Sequence, residues 1–333
     1  MRKISFWNII FSLIFIFTFF IGTVVNLPEK PGVVVALGAN AILQSEKPQK
    51  KRSPFDTIAF VIPVKKAERT VNTDNKPQGN YTTDIPVLSS DGDLGIRNDI
   101  GENIDIKALL DTKTEVKEGK VQVLILHTHT SEAYTKTAET EYEESDAYRT
   151  QNGERNIIAV GEVMAEELES RGIGVIHDKT YHDYPAYSGA YKRALGTIAK
   201  NINENPGITL VIDVHRDALQ NKDGSYMKTM AEINGEKCAQ ALIVIGTDKG
   251  GLEHKNWREN LKWGLKLQNI MTKKYPGLPR ALHLCNERYN GHTSTGAMII
   301  EIGSNGNTLP EAEKTAKLVG ECIADLIQNP ENR

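Results

Sequence analysis

The segment HTHTSEAY, His127 to Tyr134, follows directly on the apolar run VQVLIL and sets two histidines and a carboxylate at the mouth of a predicted strand. Two further apolar runs carry an ionisable group at or near their ends: LVIDVH ends on His215, and MIIEIG holds Glu301. A carboxylate inside an apolar strand is expensive, because a buried charge without a partner costs several kcal/mol or titrates to neutral. A bound cation compensates it. A catalytic zinc ion takes three nitrogen or oxygen ligands from the protein and keeps a fourth position for water, whose pKa falls to about 7 while a nearby carboxylate accepts its proton. His129, Glu132 and His215 can supply the three ligands: H-x-x-E just past a strand lets imidazole and carboxylate reach one ion, and the third ligand arrives from another strand. Glu301 is then the base. Asp213, two residues before His215, points to the same side of its strand and can orient that imidazole. His127 can do likewise, or can be the ligand in place of His129. His292 is a candidate substrate contact, since NERYNGHTSTG, Asn286 to Gly296, is a polar loop leading straight into the strand that carries Glu301.

These groups need a scaffold that brings them together. From Lys120 onward, apolar strands alternate with amphipathic helices. VQVLIL, GIGVIHD, ITLVIDVH, ALIVIGT and AMIIEIG read as strands, and the stretches 156–172, 187–205, 253–275 and 310–328 read as helices. Such alternation predicts an α/β fold with a mainly parallel, twisted sheet and helices on both faces. In that architecture the carboxyl edge of the sheet carries the ligand site, which is where the ionisable groups fall.

The 333 residues include 40 Lys and Arg against 43 Asp and Glu, a formal charge of -3. No broad basic field holds a phosphate backbone, so no nucleic-acid partner is expected. Cys238, Cys285 and Cys322 are odd in number and far apart, with no CxxC pair, which argues against a disulfide framework or a zinc ribbon. After the first three residues, the uncharged run ISFWNIIFSLIFIFTFFIGTVV is long enough, at ~1.5 Å per residue, to cross the ~30 Å hydrocarbon core. Residues 1–3 are therefore expected as a cytoplasmic tip and 4–26 as a single transmembrane anchor, with the remainder extracytoplasmic because Arg2 and Lys3 stay inside. The A-x-A-like Ala39-Asn40-Ala41 lies well past the end of the run, so the anchor is expected to remain uncleaved. Residues 27–101, rich in Pro, Asn, Asp, Lys and Thr, read as a largely disordered linker. The catalytic domain is then 102–330, with IDIKALLD at its start in helical spacing. Within it the acidic stretch 135–154 reads as a solvated loop, or as a lid beside the site.

HTHTSEAY, the VG of NIIAVGEVMAEELESRGI, YHDYPAY, DVHRDA, EIGSNGNTLPEA and the upstream IRNDIGENIDIKALL together resemble the stage II sporulation protein P family, from Ile96 to Gln328, with an anchor-plus-linker layout ahead. The resemblance implies a zinc amidase-like fold and a Zn2+-dependent cell-wall hydrolase of the N-acetylmuramoyl-L-alanine amidase class, with endopeptidase activity on crosslinked stem peptides. It further implies peptidoglycan as substrate, sporulation engulfment as the setting, the cell membrane as location, and stage II sporulation proteins D and M as partners. DVHRDA and EIGSNGN match the later histidine and the catalytic glutamate of the zinc amidases, giving His215 and Glu301, with Asn305 as a substrate contact in the same segment. In those amidases the middle glutamate opens the helix after the first strand, which here is Glu154. The H-x-x-E spacing selects Glu132 instead, as in zinc carboxypeptidases of similar sheet architecture. Arg216, next to a ligand, is a catalytic candidate that can hold a peptide carboxylate or a developing oxyanion. Two other functions stand beside this one: a metallocarboxypeptidase acting on peptide C-termini, and a nonenzymatic wall-binding protein on the same fold. Glu301 argues against the latter, because a structural zinc needs no adjacent base.

Overall fold

Strands buried on both faces read as continuous apolar runs, and VLIL and LVIDV behave that way here. A computed structural model describes residues 95–329 except 222, 223 and 225. The expected tip and anchor at 1–26, and all but the last residues of the 27–101 linker, lie outside the described residues. In chain order the elements are β1 (Ile96–Asn98), α1 (Ile106–Asp111), β2 (Val123–Leu126), α2 (Ile157–Ser170), β3 (Val175–His177), α3 (Ala190–Glu204), β4 (Leu210–Asp217), β5 (Ala231–Ile233), β6 (Glu236–Cys238), β7 (Ala241–Gly246), α4 (Trp257–Lys274), β8 (Leu282–Cys285), a 3-10 turn (Gly291–Thr293), β9 (Ala297–Ser304) and α5 (Leu309–Gln328). Among the described residues no helix is long and apolar enough to cross a membrane.

Seven strands form one sheet in the order β1-β8-β7-β9-β4-β2-β3, and β5 and β6 form a separate hairpin. Neighbours in the large sheet are parallel except β7 with β9. The mainly parallel sheet is thus present, with one reversal whose cause is local. A parallel return needs a crossover of about a dozen residues or more, usually a helix. After β4 the described residues form only the short β5–β6 hairpin, so β7 starts near the edge where β4 ended and runs back. The start set at 102 also needs correction: Ile96–Asn98, within the expected linker, pairs in parallel with β8. Three residues between polar neighbours are too few to show a period.

Side-chain alternation sorts the strands onto two faces. Val123, Ile125, Leu210, Ile212, Val214, Ile300 and Ile302 join α2, α4 and α5 in the main core. Leu124, Leu126, Val211 and Ala297 meet Ala194 and Ile198 of α3 on the other side. Helices therefore cover both faces. Val123, Ile125, Leu210 and Ile212 are 0% exposed, and burying each stabilises the fold by ~1.5–3 kcal/mol. Asn156 caps α2 by accepting the Ile158 N–H (2.9 Å), and the Glu311 side chain accepts the Thr308 N–H (3.0 Å) where α5 begins.

Candidate active site

Because β2, β4 and β9 are parallel neighbours, their carboxyl ends meet at one edge. His215 pairs in register with Glu301, and Leu126 with Asp213. Val211 lies on the α3 face of β4, so Asp213 and His215, at even spacing, share that face; Ala297 places Glu301 there by the same count.

His129–Glu132 is a β-turn, closed by the Glu132 N–H donating to the His129 carbonyl (3.1 Å). The H-x-x-E spacing is thus the spacing of a turn's first and last residues. The turn is pinned from both sides. Thr128 donates to Asp213 from its N–H (2.7 Å) and its hydroxyl (2.6 Å), and the Ser131 hydroxyl donates to the buried Asp183 (2.6 Å). Glu132 Oε2 then stands 3.5 Å from His215 Nδ1 and accepts the Arg216 N–H (3.2 Å). The His129 ring lies edge-on to His215, with centroids 5.3 Å apart.

The charges pull these groups in different directions. Burial alone raises the Glu132 pKa, but the Arg216, His215 and Arg149 charges overcome it and hold the carboxyl well below its ordinary range. Burial alone lowers His215, but Asp213 and Glu132 outweigh it and hold the imidazole well above its usual value. For His129 burial wins instead: joined by the His215 and Arg149 charges, it outweighs Glu132 and Asp213 and takes the imidazole down to about 3. Asp213 comes within 2.9 Å of His215 Nε2, yet the imidazole is not aligned on it as a hydrogen bond; the carboxylate acts on the ring through its charge. Glu301 is half-buried as a residue, but its Oε2 is shut off from solvent with no partner. Burial, reinforced by Asp217 and Glu132 and opposed by His215, pushes its pKa up to about 8.

The donor chemistry suits zinc. His215 Nδ1 and Glu132 Oε2, at 3.5 Å, are near the ~3.3 Å separation of two ligands on a tetrahedral ion with bonds of ~2.0–2.1 Å. His129 Nδ1 is buried without a partner beside them. The triad is not gathered around one point: among the described residues no group of three or more His, Cys, Asp or Glu is disposed to hold a metal ion.

Other sequence candidates fall elsewhere. His127 continues the alternation of β2 onto the main-core side, donates from Nδ1 to the Val214 carbonyl (2.9 Å) and meets His177 Nε2 with its own Nε2 (2.9 Å). Neither nitrogen is left for an ion. A Cβ at position 161 would stand 2.6 Å from that Nε2, so α2 carries glycine there. Glu154 is exposed, and among the described residues its carboxylate makes no hydrogen bond or ion pair. Arg216 donates from Nε to the Ala133 carbonyl (3.0 Å) and from Nη2 to the Tyr148 carbonyl (3.1 Å). It ties the strand to the turn and biases Glu132, whose Oε1 lies 4.0 Å from its Nη1. His292 faces His254, with ring centroids 6.5 Å apart, rather than the His129–His215 pair. Asn305 is buried beside the edge, its N–H donating to the Asp217 carbonyl (2.9 Å), with Oδ1 lacking a partner.

Tyr187, Tyr191 and Arg149 are the groups sequence reasoning missed. Tyr187 stacks on His129 (4.4 Å, 3°) with its hydroxyl 3.1 Å from Nε2, and Tyr191 lies parallel to His215 at 6.5 Å. Arg149 covers the Tyr187 ring (4.7 Å), pairs with Asp183 (2.9 Å) and reaches Glu132 Oε1 (3.6 Å). The end of the acidic stretch is therefore not a solvated loop: Glu132 bridges Arg149, and the Ala133 N–H donates to the Tyr148 carbonyl (2.9 Å). A single arginine within an acidic run is the signal that could have found it.

The stage II sporulation protein P family model matches residues 40–324. Stage II sporulation protein P of Bacillus subtilis (strain 168) is 28% identical over 223 residues, 64% of this chain and 52% of that protein. The chain thus spans about half the length of the curated relative it matches. Among solved structures, an N-acetylmuramoyl-L-alanine amidase of Nostoc punctiforme is 14% identical, covering 63% of this chain and 96% of that one, with a TM-score of 0.36. Another, from Clostridium difficile 630, is 13% identical over 62% and 94%, with a TM-score of 0.35. At these scores the likeness carries no weight for the site.

Proposed function

Since the chain belongs to the stage II sporulation protein P family, we propose that it is a sporulation peptidoglycan hydrolase that cleaves the N-acetylmuramoyl-L-alanine amide bond, with zinc held by His129, Glu132 and His215. One juxtaposition supports this most. His215 and Glu301 face each other in register on neighbouring strands, and Glu301 Oε2 is shut off from solvent without a partner.

When bound, zinc supplies Lewis acidity that lowers the pKa of a water and polarises the scissile carbonyl. The chain's own residues do the rest. Asp213 and Glu132 fix the His215 ring from two sides, while Tyr187 holds the plane of His129. Glu301 Oε2 takes a proton and returns it to the leaving amide nitrogen, a task suited to an unpartnered carboxylate oxygen that faces His215 in register. Crosslink cleavage in stem peptides is a second activity of the same groups. The uncharged run at 4–26 anchors the chain by a single span, holding the domain outside the membrane. There it remodels septal wall during engulfment with stage II sporulation proteins D and M.

Product analysis on isolated wall sacculi tests the reading. The full chain, and a form lacking residues 1–54, should free intact stem peptides from muramic acid. Trimming of single terminal residues would instead identify a carboxypeptidase, and release of nothing a wall-binding protein. The ligand choice has its own test. Glu132→Ala should lower zinc affinity by roughly tenfold or more, whereas Glu154→Ala should leave it unchanged, read by equilibrium dialysis. Zinc content that follows Glu154 would overturn the turn-based assignment.

A further inference from the structure

The two carboxylate oxygens of Glu132 meet different surroundings. Oε2 stands 3.5 Å from His215 Nδ1 and accepts the Arg216 N–H (3.2 Å). Oε1 meets two cations instead, Arg149 Nη2 at 3.6 Å and Arg216 Nη1 at 4.0 Å. The Arg149 and Glu132 side chains are 14% and 7% exposed, so solvent screens the attraction between them far less than it would at the surface.

Arg149 is itself fixed before it reaches that oxygen. The main chain sets it opposite Glu132, with the Ala133 N–H donating to the Tyr148 carbonyl (2.9 Å) and the Thr150 N–H to the Ser131 carbonyl (2.9 Å). One arm of the guanidinium, Nη1, pairs with the buried Asp183 carboxylate (2.9 Å) and donates to the Ser131 hydroxyl (3.3 Å). The other arm, Nη2, is the one that reaches Glu132. The guanidinium also rests on the Tyr187 ring, 4.7 Å from its centroid. A rigid planar fork can serve two carboxylates in this way, whereas a point charge on a flexible stem cannot.

We propose that Arg149 is a positioning residue that holds Glu132 to coordination through one oxygen: with Oε1 engaged by two guanidinium groups, Oε2 alone is offered to a metal ion beside His215. This rests on the zinc reading. A carboxylate free to turn can give an ion both of its oxygens. That would raise three protein donors to four and take up the position a catalytic zinc site keeps open. Arg216 is the farther of the two cations, and its Nε and Nη2 are committed to the Ala133 and Tyr148 carbonyls. Arg149 therefore carries the larger share of the restraint.

The test reads the metal site without turnover. Cobalt(II), loaded into the full chain in place of zinc, absorbs strongly in the visible when four-coordinate and weakly when five-coordinate. The unaltered protein should show the strong bands. Arg149→Gln, with circular dichroism near that of the parent, should show the weak ones and bind zinc at least about tenfold less tightly. Arg149→Lys should fall between, and decides the matter alone if the glutamine variant does not fold. An arginine that only braced the fold would lower stability and leave the bands unchanged. Adding Arg149→Gln to Glu132→Ala should weaken zinc no further, because the arginine acts through that carboxylate. Strong bands kept in the folded variants, weak bands in the unaltered protein, or a full additional loss on top of Glu132→Ala would each overturn the proposal and leave the zinc reading standing. A full chain that takes up neither cobalt nor zinc overturns both.

Discussion

Glu301→Gln should leave the protein folded and zinc bound while turnover on isolated wall falls by at least about 10²-fold, the lower range for loss of a positioned acid–base group. Glutamine keeps the size of the side chain and can still accept or donate a hydrogen bond, but it cannot carry the proton. The unpartnered Oε2 means that no hydrogen bond is lost there with the substitution. A second readout needs no substrate. In the metal-free protein the folded state raises Glu301 from 4.5 to about 8. Between those values the folded chain holds a proton that the unfolded chain releases. This group's contribution to stability is therefore complete at low pH and is lost as pH rises through that window. Glutamine cannot ionise, so the variant should lack that loss, measured by thermal unfolding on either side of the window. Loss of zinc by the variant would make Glu301 a ligand, and retained turnover would reduce it to a buried structural carboxyl.

His215→Ala should lose both zinc and activity. The ring stands between two buried carboxylates, 3.5 Å from Glu132 and 2.9 Å from Asp213. Removing it leaves those charges facing one another, and breaking a buried ion pair costs roughly 3–5 kcal/mol. His215→Asn, closer in polarity, guards against simple unfolding: its circular dichroism should stay near that of the parent while zinc content, read by plasma emission, drops below stoichiometric. Full hydrolysis by a chelator-stripped preparation would contradict the assignment.

His215 and Glu301 were legible because a polar residue interrupts an apolar run, and strand period then states which face it takes. Asp213 followed by the same count of two. H-x-x-E was legible as a spacing, and the turn accounts for it: His129 and Glu132 are its first and last residues. His127 against His129 was not, because the answer depends on whether β2's alternation persists one residue past its last hydrogen bond. The partners of Arg216 were hidden for a similar reason: adjacency to His215 in sequence puts it on the opposite face of β4, where the carbonyls of Ala133 and Tyr148 accept from Nε and Nη2. Tyr187 reaches His129 across 58 positions of sequence, a contact no local pattern encodes. The polarity of β7 was in principle readable from the sequence between 218 and 240, which carries no amphipathic helical pattern for a parallel crossover. β1 and β8 are too short for any period to show.

The Nε2 atoms of His127 and His177 stand 2.9 Å apart, with His127 fully buried, Gly161 closing the space above it, and the His127 ring proton on Nδ1, donated to the Val214 carbonyl (2.9 Å). The outer nitrogen of His177 meets Glu162 at 2.7 Å. A proton so enclosed trades slowly with bulk solvent and resonates well downfield of ordinary amides, giving an isolated line in a one-dimensional spectrum. That line reports whether β2, β3 and α2 are docked. The pair faces the main core whereas His215 and Glu301 face α3, so the signal is a built-in gauge of the scaffold: present, it certifies that an inactive variant has lost its chemistry and kept its frame.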